Sequence, residues 1–188
     1  MATFDQDVWL SRSNKKHAKN AKKRAQEHAA IKGLAVIVAW CTSKNFTVNF
    51  SKSSGGIIYT ETKEIFVCSR VSPMQQLYLL LHECGHLLIG FKERHQRFGM
   101  GYTVSNSSVL KRSYHHRLDI LEEEFEAWHR GWKLGERLGV MSSENKVQFD
   151  RTRIRLLRSY LLWASKAPGY EKYDEPSGER EHKNEIVS

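Results

Sequence analysis

Ser72-Pro73-Met74-Gln75-Gln76-Leu77-Tyr78-Leu79-Leu80-Leu81-His82-Glu83-Cys84-Gly85-His86-Leu87-Leu88-Ile89-Gly90 is the stretch on which the fold turns. Ser72 suits a helix cap, Pro73 the first helical position, and Gln75 the place where a capping box wants Glu or Gln. The run behind them is apolar nearly all round, which predicts a centrally buried helix ending near Gly90. Inside it stands His82-Glu83-Cys84-Gly85-His86, an H-E-x-x-H. Four residues are one helical turn plus a little, so both imidazoles leave the same face and can take adjacent corners of a Zn²⁺ tetrahedron. Glu83 stands one position round, placed to accept a proton from a water on the metal without binding the metal. The five-residue pattern alone is modestly specific. Two histidines and a glutamate in an otherwise apolar helix are costly to bury without a partner, and that context favours a metal site over satisfied core histidines.

A catalytic zinc needs a third protein ligand and an open position. A third histidine six residues after His86 is not available, because that position is Lys92. His95 falls in a charged, loop-like stretch and is a weak candidate. The helix expected over 115–139 carries an apolar stripe at Leu121, Phe125, Trp128, Trp132 and Leu138. Glu124 falls within that stripe, three residues after Leu121 and four before Trp128. Glu122 and Glu126 point more to solvent, and Glu123 lies on the flank with Ile120 and Ala127. A carboxylate aimed at a core wants a cation, so Glu124 is the expected third ligand. Glu123, one residue out of phase, is its rival.

Around these two helices the chain reads as α+β. A helix from about Asn14 to Thr42 is Ala-, Lys- and Gln-rich first and apolar later, with Gly33 either splitting or weakening it. Phe46, Val48 and Phe50 alternate with polar residues as in a strand. Ile57 to Thr60 and Ile65 to Cys68 flank Glu61-Thr62-Lys63-Glu64 as a β-hairpin. Residues 91–113 are a long Gly-, Ser- and Asn-rich connection. A last helix from about Ser143 to Lys166 has its core stripe at Ile154, Leu157 and Leu161. The expected organisation is a basic arm and helix over 1–32, with 1–11 loose, one domain over 33–166, and a disordered polar tail over 167–188.

The 188 residues carry a net charge of +9 and a pI near 9.5, which raises the question of nucleic acid. The charge is uneven. Arg12, Lys15, Lys16, Lys19, Lys22, Lys23, Arg24 and Lys32 face a single acid, Glu27, in that interval, so most of the surplus lies there. A nucleic-acid partner for residues 12–32 is one reading and a solvated helix face is the other. Aromatic residues do not interleave with those bases, which speaks against stacking on single strands. Three cysteines without close spacing argue against a disulfide framework. The amino terminus has no apolar signal core, and the longest apolar run, Leu34 to Trp40, is about a third of a bilayer span. The expected location is a reducing cytoplasm, with no membrane partner.

With its order of helix, strand, hairpin, H-E-x-x-H helix and Glu-bearing helix, the chain resembles small gluzincin-type zinc metallopeptidases. It is most similar to the ImmA/IrrE-type and related short metallopeptidases of phages and bacteria, over roughly residues 30–140. In such families the ligand Glu is followed three positions later by Ala, and Glu124-Phe125-Glu126-Ala127 fits. The next residue is Trp128 where the family has Asn or Asp, so the usual partner of a ligand histidine is missing or supplied from elsewhere. The resemblance implies a minimal zincin-like domain, mainly helical, with a three-stranded sheet beside the H-E-x-x-H helix. It implies hydrolysis of a peptide bond in a protein or peptide substrate, with Zn²⁺ on His82, His86 and Glu124 and with Glu83 as general base. It implies an edge strand pairing with the substrate, expected at Ile65 to Cys68, and an oxyanion helper among Tyr102, Tyr114, His115 and His116. For a phage-encoded member the location is the host cytoplasm. A zincin fold that binds zinc and docks a partner without cleaving it is the competing reading.

Overall fold

A computed structural model describes residues 6–52, 55–99, 101 and 113–166. Helix α1 spans Gln6–Ser43; strands β1, β2 and β3 span Thr47–Ser51, Gly56–Tyr59 and Glu64–Cys68. Helices α2, α3, α4 and α5 span Pro73–Ile89, Phe91–Arg97, Tyr114–Arg137 and Ser143–Ser165. The described chain is α+β, mostly helical with one small mixed sheet.

Helix α2 is the centre. Ser72 caps it, its side chain accepting from the amide of Gln75, and Pro73 opens it. Its apolar residues find neighbours on every side, and Leu80, Leu81 and Cys84 are wholly buried. The last third of α1 lies against it through Ala30, Leu34, Ile37 and Cys41, a spacing of four, three and four that keeps them on one face. Gly33 does not split α1. A Cβ there would come within 3.0 Å of Leu77, so the glycine lets the two helices close up. The helix also begins well before Asn14, and the arm expected to be loose is helical from Gln6.

Helix α4 crosses α2 at near backbone contact. A Cβ on Gly85 would fall 1.9 Å from the carbonyl oxygen of Ala127, and one on Gly131 would fall 2.2 Å from that of Leu81. The stripe expected on α4 is rotated from its true core face. Phe125 is 44% exposed, whereas Glu123 is wholly buried. The face toward α2 runs through Ile120, Glu123, Glu124, Ala127, Trp128 and Gly131. Trp128 and Trp132 of the expected stripe are buried and Phe125 is not, and the closest approach of the two helices falls at Gly85, Ala127 and Gly131.

Helix α5 closes the core with Phe149, whose ring packs edgewise on Tyr78 and Trp128 at 5.4 and 5.2 Å between centroids. Full burial of one such ring is worth about 2 kcal/mol. The stripe expected at Ile154, Leu157 and Leu161 is corrected here too: Leu157 is buried with Phe149 and Thr152, while Ile154 and Leu161 are exposed.

The sheet has order β1-β3-β2, with β1 parallel and β2 antiparallel to β3. The expected hairpin is β2-β3, in register Gly56↔Val67 to Tyr59↔Glu64. Its turn places Lys63 at φ 56°. Part of the expected 91–113 connection is helical as α3; residues 100 and 102–112 lie outside the described residues, as does the tail over 167–188. Helix α3 is tied to α4 by charge. Arg130 donates to Glu93 at 2.5 and 2.9 Å and to Glu126 at 2.7 Å, and Arg97 donates to Glu93 at 2.7 Å. No described helix is long and apolar enough to cross a membrane.

Candidate metal centre

His82 and His86 leave one face of α2 as their spacing requires, with ring centroids 4.8 Å apart. Glu124 of α4 reaches between them. Its Oε2 lies 3.1 Å from Nε2 of His82 and its Oε1 3.4 Å from Nε2 of His86. All three side chains are buried, and their ligand atoms lie within 4.8 Å of one another. Two imidazole nitrogens and a carboxylate oxygen at bond lengths near 2.0–2.1 Å around a tetrahedral ion stand about 3.3 Å apart. Glu124 meets the two rings through different oxygens, and with one ligand atom from each residue all within 4.8 Å the group could hold a metal ion.

Glu83 is buried beside the trio and outside it, with Oε1 4.0 Å from Nε2 of His82. The floor above it is Gly56 at the start of β2. A Cβ at Gly56 would sit 2.5 Å from Oε1 of Glu83, so only glycine leaves that carboxylate its place. Burial raises the pKa of Glu83 above the usual carboxylate value, and Glu124 adds to this, while the neighbouring imidazoles pull it down. For Glu124 burial also pushes upward, but hydrogen bonds and charge from His82 and His86 prevail and hold it well below the ordinary range. His86 is the converse. Burial disfavours its charged form, yet hydrogen bonds to Glu123 and Glu124 outweigh that and raise it to about 10.

Glu123 is the residue whose role the sequence left unresolved. It is not on a flank. Its Oε1 lies 3.1 Å from Nδ1 of His86 and accepts a 2.8 Å hydrogen bond from Nε of Arg94. Arg94 also donates to the backbone carbonyl of His86 at 3.1 Å. The carboxylate beside His86 thus comes from the residue one place before Glu124, position 128 being Trp, with an arginine from α3 to balance its charge. Trp128 holds the other histidine differently, stacked on the His82 ring at 4.4 Å and 18°.

These groups border a cavity of about 570 Å³. Its walls include Gly56, Ile57 and Ile58 of β2, Arg94 of α3, and Ser159 and Tyr160 of α5. The expected edge strand is therefore corrected. Ile65 to Cys68 is the central strand of the sheet, paired on both sides, and the edge strand at the site is β2. The reason is topological: β1 pairs with β3 in parallel and takes its second edge. Of the expected oxyanion helpers, Tyr114 and His115 are exposed and His116 is buried near Trp163; none borders the cavity, and Tyr102 lies outside the described residues. His95 is exposed with its ring against Phe91, away from the trio.

Tyr160 and Arg94 were not anticipated. Tyr160 had a signal, since it lies three residues after Leu157 on the inward face of α5. Arg94 had none, because nothing local distinguishes it from the other bases of 91–97. Cys84, between the two histidines in sequence, faces the other way. Its Sγ is 3.4 Å from that of Cys41 on α1, and both thiols are free. No protein-family model, curated protein or solved structure matches the chain.

Proposed function

We propose that the protein is a zinc-dependent peptidase of the small gluzincin kind, with a zincin-like fold. The observation that carries this reading is the placement of a buried, non-ligating carboxylate, Glu83, 4.0 Å from a His-His-Glu trio at the wall of a cavity whose rim is a sheet edge. His82, His86 and Glu124 would hold the ion, and Glu83 stays free for proton transfer. Zn²⁺ bound there supplies Lewis acidity, polarising a carbonyl and making a nearby water acidic at neutral pH.

The chain's own residues do the rest. The outer edge of β2 offers backbone N–H and C=O groups to an extended peptide, which is how sheets commonly capture such substrates. Glu83 accepts the proton of the attacking water as its oxygen bonds to the scissile carbonyl carbon. When the C–N bond breaks, Glu83 returns that proton to the leaving amine. A base whose burial lifts its pKa toward neutrality is suited to both transfers. Glu123 and Arg94 keep His86 in one orientation, and Trp128 does the same for His82.

Elemental analysis of the purified protein, with two variants, tests the reading. One equivalent of zinc is expected in the wild type and in Glu83→Gln, with cleavage of a peptide library by the wild type alone. Glu124→Ala is expected to lose the metal. A wild type that neither carries nor gains zinc overturns the site. Zinc without cleavage overturns the peptidase and leaves the docking reading.

A further inference from the structure

The exposed stretch of α1 over residues 17–29 has no part in that site. From His17 to Ala29 every residue is exposed except the half-buried Glu27, and among the residues described from His17 onward the first buried one is Ala30. A helix rotates about 100° per residue, so Lys19, Lys22 and Lys23 fall within about 100° of its circumference. Among the described residues of this stripe only Lys23 has a carboxylate near, Glu27 at 3.8 Å, a weak exposed pair. The opposite face carries Ala18, Ala21, Arg24 and Ala25.

We infer that this stripe docks on the phosphate backbone of a DNA duplex, independently of base sequence. The chemistry selects that partner. Between Ser11 and Ala29 no apolar residue is larger than alanine, so that stretch has no apolar face to insert into a lipid interface. The same interval has no Phe, Tyr or Trp on which unpaired bases could stack. What remains is a helical cylinder about 10–12 Å across, the width of a DNA major groove, with three exposed lysines on one face. Their ammonium groups meet phosphates as point charges rather than reading base edges by forked hydrogen bonds. The helix is continuous with the part packed on α2, so a bound duplex is held at a fixed attitude to the domain.

The test is fluorescence anisotropy of the full chain with a labelled DNA duplex of about 20 base pairs and arbitrary sequence, over a salt series. An RNA duplex of the same sequence forms a second arm, and tighter binding to it overturns the assignment to DNA. The triple variant Lys19→Gln, Lys22→Gln, Lys23→Gln removes three phosphate contacts. It should reduce the slope of log K against log salt by about 2.7 and weaken binding about 100-fold near 0.15 M salt. Lys→Arg at the same three positions should restore both, and Arg24→Gln on the opposite face should change affinity less than about twofold. Gln matches Lys in helix propensity, so circular dichroism should be unchanged. Absence of binding to the DNA duplex at low salt overturns the inference. So does an unchanged slope in the triple variant, or equal binding to phosphatidylserine vesicles or polyglutamate.

Discussion

Oε1 of Glu123 stands 3.1 Å from Nδ1 of His86, and the same oxygen takes the 2.8 Å hydrogen bond of Arg94. An imidazole held at Nδ1 by a carboxylate presents Nε2 outward, here toward Glu124. Groups that orient a ligand histidine in this way are commonly worth 10–100-fold in metal affinity. Glu123→Gln should therefore weaken zinc binding by about 10–100-fold, and Arg94→Met should do so to a lesser degree. Competition with a chromophoric chelator measures both. Affinity unchanged in Glu123→Gln would show that His86 is oriented without it.

Gly56 leaves room for Glu83 and for nothing else. A methyl group there would stand 2.5 Å from the carboxylate, which is the free end of a flexible side chain and can swing away. Gly56→Ala should thus cost less than about 1 kcal/mol of stability and leave metal content intact. Hydrolysis should fall by at least about 100-fold, the usual scale of a displaced general base. Thermal melts, zinc analysis and turnover distinguish this from simple unfolding.

At Gly85 the obstruction is backbone. A Cβ would lie 1.9 Å from the Ala127 carbonyl oxygen, and neither helix can yield locally. Gly85→Ala should destabilise by about 3 kcal/mol as α2 and α4 are forced apart. For a chain of this size that lowers Tm by roughly 6–12 °C. A Tm within about 2 °C of wild type would mean that the crossing is looser than described.

Acid should loosen α3 before the core. Hydrogen bonds from Arg130 and then Arg97 hold the Glu93 carboxyl below its ordinary 4.5. Glu126 is pushed up by burial but pulled further down by Arg130, and its net shift is also downward. Carboxyls depressed in the folded state contribute stability that is complete above their unfolded value and lost as pH falls through the folded one. Amide exchange in Phe91–Arg97, relative to that of α2, should accelerate as pH drops below about 4.5 and not between pH 6 and 8. These groups are part-exposed, so added salt should weaken the effect.

How much of this was legible along the chain depends on range. The cap at Ser72, the end of α2 and the shared face of His82 and His86 follow from contacts three or four residues apart, and they stand as read. Gly33 misled because a glycine weakens an isolated helix, and its use lies in the approach of Leu77, 44 positions away. Phe125 misled because the core face of α4 is set by the close crossing at Gly85, Ala127 and Gly131, which buries Trp128 and Trp132 and leaves Phe125 exposed.

Neighbouring carboxylates show the division most clearly. The run Glu122-Glu123-Glu124 is uniform in composition, and helical period separates its members only by about 100° each. That was enough to place one of them toward His82 and His86. It could not give two of them work, one facing Nε2 atoms and the other Nδ1, because those directions exist only once α4 lies across α2. The pairing of β1 with β3 and the arrival of Tyr160 and Arg94 at the cavity belong to the same class. Local periodicity carries information about a helix's own faces; which group meets which across the core depends on packing between segments far apart in the chain.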